Sequence, residues 1–395
     1  MTDNRPAGDQ APHSSAQPSG RQGGRSQVST ARVRVSTVAG FLSVVPHLLG
    51  FHPGQSMVVV GLDGPRGRIK LGFRYDLPDP PDPEMSRDIA RHAVEVLRQR
   101  GVTVAIAAGY GGGTLVTPVA DALRAAAQDA SITVRDLLRV KGRRYWSYLC
   151  QDPGCCPPEG IPFEGPDHPN ARALAAAGMT ARPDRESLAA LVAPVTGPEA
   201  ESLRRAHQCA LRRAGEMIAG AGAPDRLRAL VEAGRDAVRD AIARYRSGGE
   251  ITDHDQMAWL ILTVADLRVR DDAWARMDPG NRDAHQRLWI DVTRRAPESL
   301  VPAPASLLAF TAWQSGDGAL ANIAVERALA ADPGYSMAHL IGQALEAGLP
   351  PSAARLPMTP EEVEASYARK DRAGRRPRSA GRGSTTRLAS RRPSA

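Results

Sequence analysis

The sequence predicts an α/β N-terminal domain, built on a mainly parallel sheet with an antiparallel hairpin, followed by an all-α, tetratricopeptide-like helical domain. Three observations predict it. Up to about residue 150, short Val- and Ala-rich runs alternate with amphipathic segments, the rhythm of a sheet covered by helices. Beyond Pro169 the apolar residues recur only at helical spacing. Between them, the stretch from Gln151 to Pro169 holds six prolines and three glycines and reads as an irregular loop. A chain of 395 residues also exceeds the size at which one core stops growing, so two domains plus tails are expected.

The first element is a helix over Ser36 to Leu49. Val38, Phe41, Leu42, Val45, Leu48 and Leu49 share one face, Ser36 or Thr37 can cap it, and Gly50 can stop it. Met57 to Leu62 is a continuous apolar run bounded by Gly54 and Asp63-Gly64-Pro65, which reads as a buried strand. From Arg68 to Leu77, Ile69, Leu71, Phe73 and Tyr75 alternate with polar or small residues, so this strand pairs with the previous one as a hairpin with one wet face. A helix over Met85 to Arg100, a buried strand over Val102 to Ala108, a helix capped by Thr117 with Pro118 at its first position, and a strand over Ile132 to Val140 complete the domain.

Seven helices are expected in the second half: Leu203 to Ile218, Arg226 to Arg246, Asp253 to Val269, Asp283 to Arg295, Ala305 to Gln314, Ala319 to Ala330 and Ser336 to Ala347. Leu308, Gly316-Asp317, Ala321, Ala328-Leu329 and Asp332-Pro333 fall at the spacings of a tetratricopeptide unit: small residues where two helices touch, a Gly-Asp turn, a Pro exit. The expected organisation is a tail over 1–30, the α/β domain over 31–150, the cysteine loop and linker over 151–200, a helical array over 201–350, and a linker with a disordered basic tail over 351–395.

Charge narrows the function. The chain carries 51 basic and 43 acidic residues, yet Arg369 to Ala395 alone holds ten of the basic ones against the single acid Asp371, leaving 41 basic against 42 acidic elsewhere. The basic excess therefore belongs to the tail, and any nucleic-acid contact is expected to be a weak one through Arg369 to Ala395. The longest apolar runs are far shorter than a bilayer span, and the polar segment from Met1 to Thr30 lacks the apolar core of a secretory signal, so a cytoplasmic protein without membrane contact is expected.

Two motifs carry chemistry. Cys150, Cys155 and Cys156 lie together in the Pro-rich loop with Glu159 and His168 nearby, and thiolates and imidazole are the ligands zinc prefers. The Cys-x4-Cys-Cys spacing differs from paired Cys-x2-Cys, and adjacent sulfurs do not readily reach one tetrahedral ion, so a redox thiol, packing and loop closure stand beside metal binding. Gly109, Gly111, Gly112 and Gly113 leave a strand and precede a helix, the setting in which backbone N–H groups cradle a nucleotide phosphate, although neither Gly-x-Gly-x-x-Gly nor a P-loop Lys follows. A flexible connection explains the same letters. His47 and His52 read as a helix C-terminal cap, His254 and His285 as solvated surface, Cys209 as core, and Trp259, Trp274, Trp289 and Trp313 as core or as the lining of a partner groove.

Four stretches together, PHLLGFHPGQSMVVVGL (Pro46 to Leu62), RRYWSYLCQDPGCCPPEGIPF (Arg143 to Phe163), ADLRVRDDAW (Ala265 to Trp274) and APASLLAFTAWQSGDGALANIAVERALAADPGYSMAHL (Ala303 to Leu340), resemble the actinobacterial family catalogued as domain of unknown function 4192. The resemblance spans residues 31 to about 350. It implies an intracellular actinobacterial protein and no particular activity. The expected function is a protein-interaction or regulatory module that binds a protein partner through its helical domain. The alternative is an enzyme or a protein binding a small ligand, nucleotide or metal, through the α/β domain and the cysteine loop.

Overall fold

The computed structural model describes residues 33–64, 67–219, 223–353 and 358–374. Helix α1 (Val38–Leu49) starts where the Thr37 hydroxyl accepts the Gly40 N–H and stops at Gly50, whose φ of 75° is the left-handed exit that glycine makes without strain. There follow β1 (Ser56–Asp63), β2 (Arg68–Asp76), α2 (Pro83–Gln99), β3 (Val104–Tyr110), α3 (Gly113–Asp129), β4 (Thr133–Lys141), β5 (Arg144–Ser147) and β6 (Ile161–Pro162). The strands form one six-stranded sheet in the order β2-β1-β3-β4-β5-β6.

The sheet is mixed rather than mainly parallel. Only β3 and β4, joined through α3, pair in parallel; every other neighbouring pair is antiparallel. The strand–helix rhythm led the sequence reading astray for a definite reason. α2 carries the chain from β2 past β1, so β2 and β3 run in the same direction but flank β1 instead of touching. Alternation of elements dictates strand direction, not adjacency.

α1 covers one face, packing Phe41, Leu42 and Val45 on Val58, Val60, Ile106 and Leu138. α2 and α3 cover the other, packing Ala93, Leu97, Val116 and Val119 on Met57, Val59, Ala107 and Leu137. β1 lies between both layers, which is why it is an unbroken apolar run. α3 begins at Gly113 with Gly112 as its cap, so Thr117 and Pro118 sit inside the helix rather than at its start. As the sixth residue of α3, Pro118 lacks the N–H that would donate to the Thr114 carbonyl, so it stands at a helical cost rather than as a start signal.

The stretch expected as a linker holds two short helices, α4 (Pro169–Ala176) and α5 (Arg185–Ala189). Then come α6 (Gly197–Ala219), α7 (Ala223–Arg246), α8 (His254–Val264), α9 (Leu267–Ala275), α10 (Arg282–Arg295), α11 (Pro302–Ser315), α12 (Gly318–Ala331) and α13 (Ser336–Glu346). The single helix expected from Asp253 to Val269 is two, because the Asp266 carboxylate accepts the Arg268 N–H and caps a new start. α11 is buried on every side and is the axis of the helical core. Its hairpin with α12 turns at Gly316 (φ 81°), after which Asp317 caps the next helix through the Leu320 N–H.

A further helix, α14 (Pro360–Gly374), replaces the expected linker and the first residues of the tail. It docks by burying Val363 and by donating the Tyr367 hydroxyl to Asp271. The tails over 1–30 and beyond Gly374 lie outside the described residues. The two halves meet through Phe51, which follows α1 yet is buried in the helical core, and through hydrogen bonds from Arg182 N–H to Gly50 O (2.8 Å) and from Arg100 Nε to Ala347 O (3.1 Å). Among the described residues, no helix is long and apolar enough to cross a membrane.

Candidate metal centre

The loop after β5 is built by local hydrogen bonds that the sequence spacing dictates. Ser147 Oγ accepts the N–H groups of Leu149 and Cys150, turning the chain as β5 ends. Five residues after Ser147, Asp152 repeats the device: its carboxylate accepts the Gly154 N–H and its carbonyl accepts those of Cys155 (3.1 Å) and Cys156 (2.7 Å). The second turn folds the Cys155-Cys156 pair back over Cys150.

The result brings all three sulfurs within 4.8 Å of one another. Adjacent cysteines therefore do converge with a third, contrary to the expectation from spacing, because the turn at Asp152 reverses the chain between them. No disulfide joins them; Cys155 is exposed and the other two are half-buried. The Cys156 thiol and the Asp152 N–H donate to the Cys150 sulfur and hold it below the ordinary thiol range. The same thiol–thiol bond, with burial, pushes Cys156 up to about 12. Of these two thiols, then, Cys150 gives up its proton first and ionisation of Cys156 is opposed.

The loop is pinned to the sheet from the other side. Trp146 lies under the Arg139 guanidinium, 3.9 Å from its ring centre, and donates its indole N–H to Pro158 O at 2.8 Å. Gly160 (φ 82°) lies so close to that indole that a Cβ would clash. Arg144 reaches Gly160 O at 2.7 Å, and Tyr148 OH bonds Thr117 Oγ1 at 2.8 Å, tying the loop to α3. On the α1 face of the sheet, Tyr145 is raised chiefly by burial. Tyr145, Asp136, Ser147, Asp152 and Trp146 were not singled out from the sequence. The Ser147-x-x-Cys150 and Asp152-x-x-Cys155 spacings could have revealed the two turns; nothing in the letters reveals the contacts of Trp146.

His168 does not join the thiols. Its Nδ1 accepts the Asn170 N–H at 3.1 Å, capping α4 beside Gly40. Proximity in sequence was the only argument for it, and the α4 cap claims the ring instead. His207 lies on α6 bonded to Leu203 O.

The glycine run has a packing explanation. A Cβ at Gly109 would fall inside the van der Waals shell of Val116, so glycine lets α3 sit against β3. Gly111 takes a φ of 147°, open only to glycine, and Gly112 and Gly113 start α3, with the Arg139 side chain beside Gly113. Other expectations shift as well. His285 is buried rather than solvated, accepting the Asp278 N–H at 3.3 Å. His47 bonds Met179 O instead of capping α1, and Cys209 is exposed beside Arg212 rather than in the core. Trp259, Trp289 and Trp313 are core residues, with Trp274 packed edge-on to Phe310.

A family model described as Domain of unknown function (DUF4192) matches residues 39–352. No curated protein and no solved structure matches the chain.

Proposed function

The chain belongs to the DUF4192 family, whose description names no activity, and we propose from its own residues that it is a metal-binding protein centred on Cys150, Cys155 and Cys156. The observation that carries this reading is the convergence of three unoxidised sulfurs within 4.8 Å. A tetrahedral zinc ion with Zn–S bonds of about 2.3 Å needs sulfurs roughly 4 Å apart, so small loop adjustments suffice. Thiolates select soft ions, and zinc is the first candidate among them. Three protein ligands leave a fourth position for water or another ligand, the arrangement of catalytic rather than closed structural zinc. The Asp152 N–H aimed at the Cys150 sulfur supports the reading, because such a donor orients a thiolate and tempers its charge.

The test is elemental analysis of protein purified without metal-affinity steps and then equilibrated with zinc. One equivalent per chain is expected, falling below a tenth in Cys150→Ser/Cys156→Ser, with uptake that weakens as pH falls because protons compete for the thiolates. Equal zinc in wild type and variant overturns the reading.

A second reading keeps the helical half as a protein-binding array. The α11–α12 hairpin, with its Gly316-Asp317 turn, supports a tetratricopeptide-like unit, and an open groove of about 910 Å³ between α7 and α8, with Asp240 and Gln256 on its walls, supports a docking surface. A partner that co-purifies with wild type and is lost with Asp240→Arg/Gln256→Arg is the expected outcome; undiminished recovery sinks it.

A further inference from the structure

At the opposite edge of the sheet from the cysteines, every residue of β2 from Ile69 to Asp76 borders a cleft of about 530 Å³. Strand side chains alternate between faces, so a space that touches eight consecutive residues runs along the strand's free edge. The facing wall comes from the α11–α12 turn and the segment after α13, where Gly316, Gly318, Ala319 and Gly348 leave room. Apolar side chains line it from several elements, among them Leu48, Leu49, Phe51, Leu71, Phe73 and Leu349.

Charge in the cleft is sorted by depth. The Arg74 side chain is only 16% exposed and lies over the Phe51 ring at 5.7 Å, and its Nε is buried without a hydrogen-bond partner. Its carboxylate partner among the described residues, Asp76, is 78% exposed. Arg185 repeats the arrangement at 31% against 59% for Glu326, and Glu346 is also at the exposed rim. The guanidiniums thus lie deeper than the acids, and an unpaired buried Arg N–H is a donor in want of an acceptor.

We propose that this cleft binds an organic anion with an elongated apolar body, its head group held by Arg74 and its body laid along β2. A guanidinium flanked by apolar walls favours such a ligand on two counts: it pairs with a carboxylate or phosphate in fork geometry, and the walls remove apolar surface from water. The cleft is formed by elements distant from the cysteine loop, so the inference stands apart from metal binding.

Sodium decanoate and neutral decanamide, titrated into the full-length protein with melting temperature as the readout, test it. Wild type is expected to respond saturably to decanoate at concentrations at least tenfold below decanamide. Arg74→Gln is expected to erase that preference while leaving decanamide unchanged. Gly72→Leu, whose Cβ meets nothing closer than 3.8 Å and so is accommodated by the strand, is expected to block both compounds by filling the cleft. Retained preference in Arg74→Gln, undiminished binding in Gly72→Leu, or no saturable response in wild type each overturns the proposal.

Discussion

The sheet half and the helical half solve burial differently. Around the sheet, the core is apolar, and among the described residues the fully buried polar ones are the serines Ser43, Ser56 and Ser86. The helical half buries Arg235, Arg270, Asp272 and His285 together with Thr263, Thr293, Ser306, Thr311 and Gln314. A sheet satisfies its backbone between strands and needs only apolar faces toward its helices. A stack of many helices must hold register among similar cylinders, and charged groups that match in one arrangement only can do so. The difference teaches where the molecule is sensitive: buried ionised groups in the helical half tie its stability to pH and to intact pairs, whereas the core of the sheet answers mainly to shape.

The comparison breaks first at Asp272. Its carboxylate, 3% exposed, accepts from Arg276 at 2.6 Å and faces Arg235, itself 7% exposed, at 3.9 Å. Asp272→Ala deprives Arg276 of its carboxylate and leaves the buried Arg235 with only the more exposed Glu232 and Glu364, and is expected to destabilise by about 3 kcal/mol in urea unfolding. A loss under about 1 kcal/mol, the range of an exposed pair, would show that the helical half is as indifferent to charge as the sheet.

Acid sharpens the same contrast. Burial first, and Arg246 to a lesser degree, push His285 down to about 4, against the opposing pull of Asp278. The unfolded chain takes up this proton near pH 6.5 and the folded one only near 4, so the contribution is complete above 6.5 and drains away as pH falls through that window, by about 3 kcal/mol in all. Near-ultraviolet dichroism, which reports mostly on the tryptophans of the helical half, is expected to follow this loss, and His285→Phe to flatten it. A pH profile identical in the variant removes His285 as its source.

In the sheet half the sensitive position is steric. Gly109→Ala pushes Val116 and α3 away from β3 and is expected to destabilise by about 2 kcal/mol, equally at pH 5 and pH 7.5, in chemical denaturation at both. The smallest effect belongs to the periphery. Tyr367→Phe removes the 2.7 Å bond to Asp271 and is expected to loosen α14 by about 1 kcal/mol, seen as faster amide exchange over 360–374 while the rest of the chain is unchanged.

Much of this was legible in the letters, and the failures are instructive. The α1 cap at Thr37 and stop at Gly50, the β1–β2 hairpin and the Gly316-Asp317 turn are local, each set by a hydrogen bond or a φ value within a few residues. β5, α4 and α5 were missed because four- to eight-residue elements carry too few periods to register. His285 was misplaced because its neighbouring acids suggested water, whereas the face it occupies is decided by helices from elsewhere in the chain. At the candidate centre, the three cysteines were visible as ligand types and their meeting was not, since it depends on a turn at Asp152 that reverses the chain.

By itself the sequence determined direction and kind: where helices and strands form, which faces are apolar, and that a sheet-bearing half precedes a helical one. Tertiary structure alone decided adjacency. It placed β1 between β2 and β3, buried Phe51 in the core of the other half, turned His168 away from the thiols and set Arg74 beneath its acids in a cleft. The reason is that periodicity and capping are written within a turn or two of chain, whereas neighbours across a core are selected by how whole faces pack, which no local spacing encodes.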